Sequence, residues 1–321
     1  MSDKTGLVKG VLAGKPRSIA RAISLVENND DAAQSLLKSL FPRRCESLIL
    51  GITGAPGSGK STLVDQLIGR LRAKGKKIGI VAVDPSSPFT GGAILGDRIR
   101  MMRHSTDPDV FIRSMATRGH LGGLAKATGE AISIFEAAGK DIILVETVGV
   151  GQDEVEVVKL ADLILVILTP AAGDDIQVFK AGIMEIADIF VLNKADTPGA
   201  NRIEIQLKAM LELGLKDKDL PPVVKTVATE GRGADELVQA VFNLTVKKER
   251  ADLAARRKKL IAWMLRDIAQ EKLYGLIGRA IKDSEFDRYV DRIFKRKIDP
   301  YTAADEIVAR LAVRRPREKK Q

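Results

Sequence analysis

The sequence predicts an α/β fold: a mostly parallel sheet covered by helices on both faces, with a helical segment before it and a helical arm after it. Three observations lead there. From Ser47 to about Leu244, short apolar runs alternate with longer amphipathic ones. A glycine-rich turn joins the first apolar run to the first amphipathic stretch. Beyond about Thr245 strand-like runs stop, and the charge balance changes with them.

The elements follow in order. Residues 16–41 read as two short helices. Pro16 suits a first helical position. Ile19, Ile23 and Val26 recur at helical spacing, and Leu36, Leu37 and Leu40 repeat the pattern after an Asn29-Asp30-Asp31 break. Pro42 closes this unit. The strand candidates are Leu48–Thr53, Ile78–Val83, Val110–Arg113, Ile142–Thr147, Leu163–Leu168, Ile189–Asn193 and Val223–Ala228. Helical stretches such as Thr62–Lys74 and Leu121–Ala138 separate most of them. In the arm, Leu260, Met264, Ile268, Leu276 and Ile277 mark one long helix. Phe286, Val290 and Ile293, then Ile307, Val308 and Leu311, mark two more, with Pro300 between them. The expected organisation is 1–44, helical; 45–244, the sheet domain; 245–321, a helical arm whose apolar stripes call for a partner surface.

Composition narrows the classes. Hydrophobic residues make up 45% of the 321 and aromatics only 4%, so the core is aliphatic. No apolar run approaches the roughly 20 residues of a membrane helix, and MSDKTGLVKG lacks the apolar stretch of a secretory signal. Cys45 is the single cysteine and has no intrachain partner, which fits a cytoplasmic protein. The net charge of +10 is uneven: 22 of the 52 basic and 12 of the 42 acidic residues fall in 245–321, leaving 30 of each elsewhere. Acids interspersed with the bases make the arm a solvated helical surface rather than a nucleic-acid track.

The strongest motif is Gly54-Ala55-Pro56-Gly57-Ser58-Gly59-Lys60-Ser61, after a strand and opening a helix. Glycines let the backbone wrap phosphates, and the amides and helix N-terminus face the negative charge. Lys60 is expected on the β- and γ-phosphates, Ser61 on Mg²⁺, and Thr62 at the cradle's edge. A second motif, Asn193-Lys194-Ala195-Asp196, ends a strand. The Asp196 carboxylate can accept from guanine N1–H and N2–H₂, whereas adenine would leave it unpaired, so the pair of motifs selects GTP over ATP. Asn193 would brace the loop and contact the base, with the Lys194 stem along its face. A third, Asp141-Ile-Ile-Leu-Val-Glu146-Thr-Val-Gly149, puts an acid at a strand tip beside the γ-phosphate, suited to Mg²⁺ directly or through water. Asp84 and Asp97 are further candidates for the metal, though each reads equally as a turn or cap residue. Val227-Ala228-Thr229-Glu230-Gly231 suits a turn whose amides touch guanine O6. His104 and His120, the only histidines, read as surface or loop residues. Gln152, Glu154 and Lys180 are candidates for positioning water by location alone.

Glu146, where most GTP switches carry Asp, resembles a subclass of nickel- and cobalamin-enzyme maturation GTPases. The stretches Val83-Asp84-Pro-Ser-Ser-Pro-Phe-Thr-Gly-Gly-Ala-Ile-Leu-Gly-Asp97-Arg98, Arg113-Ser-Met-Ala-Thr-Arg-Gly-His-Leu-Gly-Gly123 and Glu146-Thr-Val-Gly-Val-Gly-Gln152 resemble the MeaB/ArgK family of methylmalonyl-CoA mutase-associated GTPases. The resemblance covers about the whole chain. It implies a GTP-hydrolysing chaperone of an adenosylcobalamin-dependent acyl-CoA mutase, gating delivery of intact cofactor and release of a damaged one. It implies a homodimer joined through the arm, Mg²⁺ ligands at Ser61, Asp84, Asp97 and Glu146, and a loop around Gly173–Lys180 that answers to nucleotide state. Catalytic roles then fall to Lys60, Glu146, Asp97 and Lys180. One departure is that the base-touching turn is usually Ser-Ala and here is Val227-Ala228. A nickel-insertion GTPase sits poorly with the shortage of Cys and His, and a kinase linked to amino-acid transport lacks a phosphoacceptor-site signature.

Overall fold

The computed structural model describes residues 2–28, 31–84, 102–116, 123–147, 160–170, 186–214, 220–247 and 250–313. Seven strands form one sheet: β1 Leu48–Gly54, β2 Ile78–Asp84, β3 Val110–Ala116, β4 Ile142–Glu146, β5 Leu163–Leu168, β6 Ile189–Leu192 and β7 Val223–Lys225, in the order β3-β2-β4-β1-β5-β6-β7. Each neighbouring pair is parallel. The residues of β4, β5 and β6 are buried throughout. Helices on both faces leave no wet side, which is why these strands read as unbroken apolar runs rather than alternating ones.

The helices are α1 Ser2–Leu12, α2 Pro16–Glu27, α3 Asp31–Leu40, α4 Lys60–Ala73, α5 Gly123–Ala137, α6 Ala200–Gly214, α7 Ala234–Lys247, α8 Arg250–Ala280, α9 Asp283–Phe294 and α10 Pro300–Val313. Leu63, Val64, Leu67, Ile68 and Leu71 of α4 join Leu237, Val238 and Val241 of α7 and the inner residues of β1, β4, β5 and β6 in one buried cluster. Burying each such side chain contributes about 1.5–3 kcal/mol, so α4 is among the more firmly seated helices.

Three differences from the sequence reading have physical causes. Helix α1 escapes prediction because Gly6 and Gly10 lower its propensity. Gly10 is needed there for contact, since a Cβ would lie 2.1 Å from Ser18 Oγ of α2. Helix α4 begins at Lys60, two residues before the expected Thr62, so Lys60 and Ser61 belong to its first turn. Strand β7 stops at Lys225, short of Ala228, because β6 ends at Leu192 and offers no further partner. Val227 instead bridges antiparallel to Arg232 and closes a tight turn over 228–231.

The chain divides into two compact units, Met1–Arg256 and Arg257–Gln321. In the second, Ile281, Tyr289 and Ala303 are buried, and Arg292 Nη1 donates to Glu306 Oε2 at 3.2 Å between α9 and α10. Ile261, Leu265, Leu273, Tyr274, Phe286, Phe294, Tyr301 and Val308 are exposed.

Candidate nucleotide site

The site assembles at the carboxyl ends of the central strands, the usual ligand edge of an open α/β sheet. Register sets its layout. Glu146 at the tip of β4 is level with Ile52 of β1 and Ala82 of β2. The chain of β1 runs two residues further to Gly54, and β2 runs on to Asp84. The phosphate loop therefore leaves the sheet two residues beyond the level of Glu146.

Two glycines are fixed by what surrounds them. Gly54 has φ +150°, and a Cβ there would lie 2.3 Å from Ile167 O on the neighbouring β5. Gly59 has φ +88° and stands against Asn193, whose Nδ2 would be 2.4 Å from a Cβ. Any other residue at either position would be strained and would push the loop off the sheet. Lys60, only 7% exposed, bends back to donate to Gly54 O at 2.8 Å and Ala55 O at 3.0 Å. Ser61 Oγ donates to Glu146 Oε1 at 2.6 Å, and both residues are buried. A hydroxyl and a carboxylate so close form an all-oxygen pair, the donor chemistry a hard ion such as Mg²⁺ takes. Ser58 is buried, Ala55 and Thr62 are half-buried, and Pro56 and Gly57 are exposed.

The second half of the site hangs on Asn193, which is 2% exposed. Its Nδ2 donates to Ser58 O at 2.8 Å, tying the phosphate loop to the end of β6. Its Oδ1 accepts from Thr226 Oγ1 at 3.0 Å and from Ala228 N at 3.1 Å. One amide thus connects three chain segments. Lys194 adopts φ +55°, and its carbonyl accepts from Thr197 N at 3.0 Å and Thr197 Oγ1 at 2.7 Å, which turns the chain so that Asp196 is exposed. Ala228 is buried, while Thr229 and Glu230 are exposed on the turn. Thr226 was not foreseen as part of the site: a hydroxyl just past a short strand carries no local signal.

The fold thus brings together Gly54 to Thr62, Glu146, Asn193 to Asp196 and the Ala228–Glu230 turn. Asp84 is placed by its backbone alone. Asp97, Lys180, Gly149, Gln152, Glu154, His120 and the Gly173–Lys180 segment lie outside the described residues. Among the described residues no cluster of three or more His, Cys, Asp or Glu could hold a metal ion, and no helix is long and apolar enough to cross a membrane.

His104, expected at the surface or in a loop, lies in a short turn of the segment before β3 and is half-buried. Its Nε2 lies 3.1 Å from Asp65 Oδ1 of α4 and 3.2 Å from Asp65 O. Arg103 Nε donates to the same Asp65 Oδ1 at 2.6 Å, and Arg103 Nη2 pairs with Oδ2. Arg103 and His104 are therefore clasped to the helix that carries Lys60. Partners 38 residues apart leave no trace in local sequence.

Comparison with known proteins agrees with this geometry. A Pyrococcus abyssi protein named as a GTPase is 48% identical over 95% of this chain and 96% of its own length. The GTPase ArgK of Escherichia coli is 35% identical over 88% of this chain and 87% of its own. A crystal structure titled LAO/AO transport system kinase superposes with a TM-score of 0.67 at 26% identity, covering 96% of this chain and 97% of that one. The model of the family described as methylmalonyl Co-A mutase-associated GTPase MeaB matches residues 19–281. The chain is a P-loop enzyme that hydrolyses GTP, and it belongs to the MeaB family of methylmalonyl Co-A mutase-associated GTPases.

Proposed function

We propose that this GTPase is a chaperone of an adenosylcobalamin-dependent acyl-CoA mutase, methylmalonyl-CoA mutase in the first instance, gating cofactor delivery and protecting or reactivating the mutase. The observation that carries the proposal is the match to a mutase-associated family across residues 19–281, which takes in both halves of the nucleotide site. A GTPase whose output is a change of partner affinity must bind that partner differently in its two nucleotide states. Calorimetric titration of purified mutase against the GDP-bound protein and against the protein with a non-hydrolysable GTP analogue tests this. Two different affinities are expected, with faster GTP turnover in the complex. No binding in either state and an unchanged rate would overturn the chaperone role and leave the GTPase intact.

The site residues take these roles in the proposal. Main-chain amides of the Gly54–Gly59 loop and the first turn of α4 wrap the phosphates, with Lys60 on the β- and γ-oxygens. Ser61 and Glu146 hold Mg²⁺, directly or through water, with Asp84 and Asp97 as its other acids. The ion would offset the charge that develops as the γ-phosphate leaves. Asp196 reads guanine N1–H and N2–H₂, Lys194 covers the base, and the Ala228–Glu230 turn meets O6 through its amides. Val227 supplies no hydroxyl, so this contact is main-chain. Lys180 is assigned to the γ-phosphate side. We also assign the arm to a homodimer, supported by the apolar side chains its helices leave exposed. Light scattering of the full chain at micromolar concentration tests this, and a monomer would refute it.

A further inference from the structure

We infer that Arg70, together with Gln66, is a positioning residue for guanine selectivity: from the phosphate-binding helix it holds the turn that meets O6. The inference rests on the reading of that turn given above.

The geometry is local and well packed. Gln66 and Arg70 lie one helical turn apart on α4, on the same side of the helix. Arg70 Nη1 donates to Gln66 Oε1 at 2.9 Å, which fixes the plane of the guanidinium. Arg70 Nη2 then reaches Gly231 O at 3.3 Å. The same carbonyl accepts from Ala234 N at 3.4 Å, at the start of α7. The fit is close: a Cβ on Gly231 would lie 2.8 Å from Arg70 Nη2 and 2.9 Å from Gln66 Oε1.

The turn is thus held at both ends. Asn193 Oδ1 grips Ala228 N at its start, and Arg70 grips Gly231 O at its finish, while Thr229 and Glu230 between them are exposed. Val227 N donates to Arg232 O at 3.0 Å and closes the turn on itself, and Arg70 ties that closed end to α4. The helix that supplies the second grip is the one that begins with Lys60 and Ser61. Asn193 links the phosphate loop to the near end of the turn, and Arg70 adds a second link from the phosphate-binding helix to its far end.

A purely stabilising role accounts poorly for this arrangement. The ion pair Arg70 makes with Asp235 is long, at 3.7 Å, and Asp235 is 76% exposed. Pairs of that kind contribute little to folding. The specific contacts of Arg70 are instead with Gln66 and with the turn.

The test compares GDP with 6-thio-GDP, which differs only at position 6 of the base and keeps the groups Asp196 would read. Wild-type protein is expected to prefer GDP. In Arg70→Ala this preference should narrow by about two- to tenfold, the range of one hydrogen bond. A wild-type protein that does not distinguish the two nucleotides would overturn the reading of the turn, and the role of Arg70 with it. A wild-type preference that survives undiminished in Arg70→Ala would overturn the role of Arg70 alone. Should Arg70→Ala fold poorly by thermal melting, Gln66→Leu removes only the acceptor that orients the guanidinium. It should narrow the preference in the same direction, and an unaltered ratio there overturns the inference.

Discussion

Along the amino ends of the strands, acids are tied to main-chain amides and cations. Asp162 Oδ2 accepts from Ile49 N at 2.9 Å, Asp188 Oδ2 from Ile164 N at 2.8 Å and Asp141 Oδ2 from Lys77 N at 2.7 Å. Arg256 adds a contact to Asp188 Oδ2 at 2.8 Å, and Lys140 Nζ donates to Asp109 O at 2.8 Å. At the carboxyl ends, Lys60 leans on carbonyls of its own loop, and Ser61 leans on Glu146. Both ends bury charge, so buried charge alone does not mark a site. The difference lies in the partners. The amino-end acids satisfy strand amides at the sheet's margin, so their loss costs fold. The carboxyl-end groups face glycine turns and exposed loop residues, where a ligand's oxygens can substitute for the protein's.

The comparison predicts opposite outcomes for variants at the two ends. The largest effect belongs to Lys60→Ala, in which GTP turnover should fall by at least about 100-fold while stability stays within about 1 kcal/mol of wild type. Phosphate release and thermal melting measure the two, and unchanged turnover would remove Lys60 from the chemistry. Glu146→Ala should lower turnover by about 10–100-fold and raise the Mg²⁺ concentration for half-maximal rate, with GDP affinity less affected. An unchanged Mg²⁺ dependence would reassign the Ser61–Glu146 pair to structure alone.

At the other end, Asp188→Ala should leave turnover near wild type and cost about 1–3 kcal/mol in urea unfolding, because Ile164 N and Arg256 both lose an acceptor. A drop in turnover with intact stability would collapse the distinction between the two ends. The smallest effect is acid-dependent. The hydrogen bond from Arg72, against some desolvation, holds the Asp107 carboxyl below its ordinary 3.8. A folded-state value below the unfolded one adds stability above that range, lost as pH falls through the folded value. The pair is partly exposed, so the contribution is below about 1 kcal/mol. The melting difference between wild type and Asp107→Asn should hold from neutral pH down towards 3.8 and then vanish. A gap that persists in strong acid would assign the effect to packing.

How much of this was legible in the sequence depended on whether the information was local. Strand β5, Leu-Ile-Leu-Val-Ile-Leu, is buried at every residue, and its sequence says so directly. The phosphate loop is equally plain, because phosphate geometry fixes its spacing. The start of α4 was misjudged because Gly59-Lys60-Ser61 has loop-like composition although its last two residues are helical. The end of β7 was misjudged because Val223–Ala228 keeps a strand-like texture after its neighbour has ended. Asp65 with Arg103 and His104, Asn193 with Thr226, and Arg70 with Gly231 were hidden for one reason. Each pair is made by the topology across 33 to 161 residues of chain.

Asn193 has a consequence for how this protein can vary. Its side chain works as a keyed connector: the nitrogen end must donate to Ser58 O, and the oxygen end must accept from Thr226 and Ala228. Aspartate would set a negative oxygen against a carbonyl, and leucine would strand all three partners in a buried space. Glutamine would drive its extra carbon towards Gly59, which already has no room for a methyl group. Position 59 and position 193 can therefore change only in concert. A lineage that retuned its base preference at this asparagine would have to rebuild its phosphate loop at the same time.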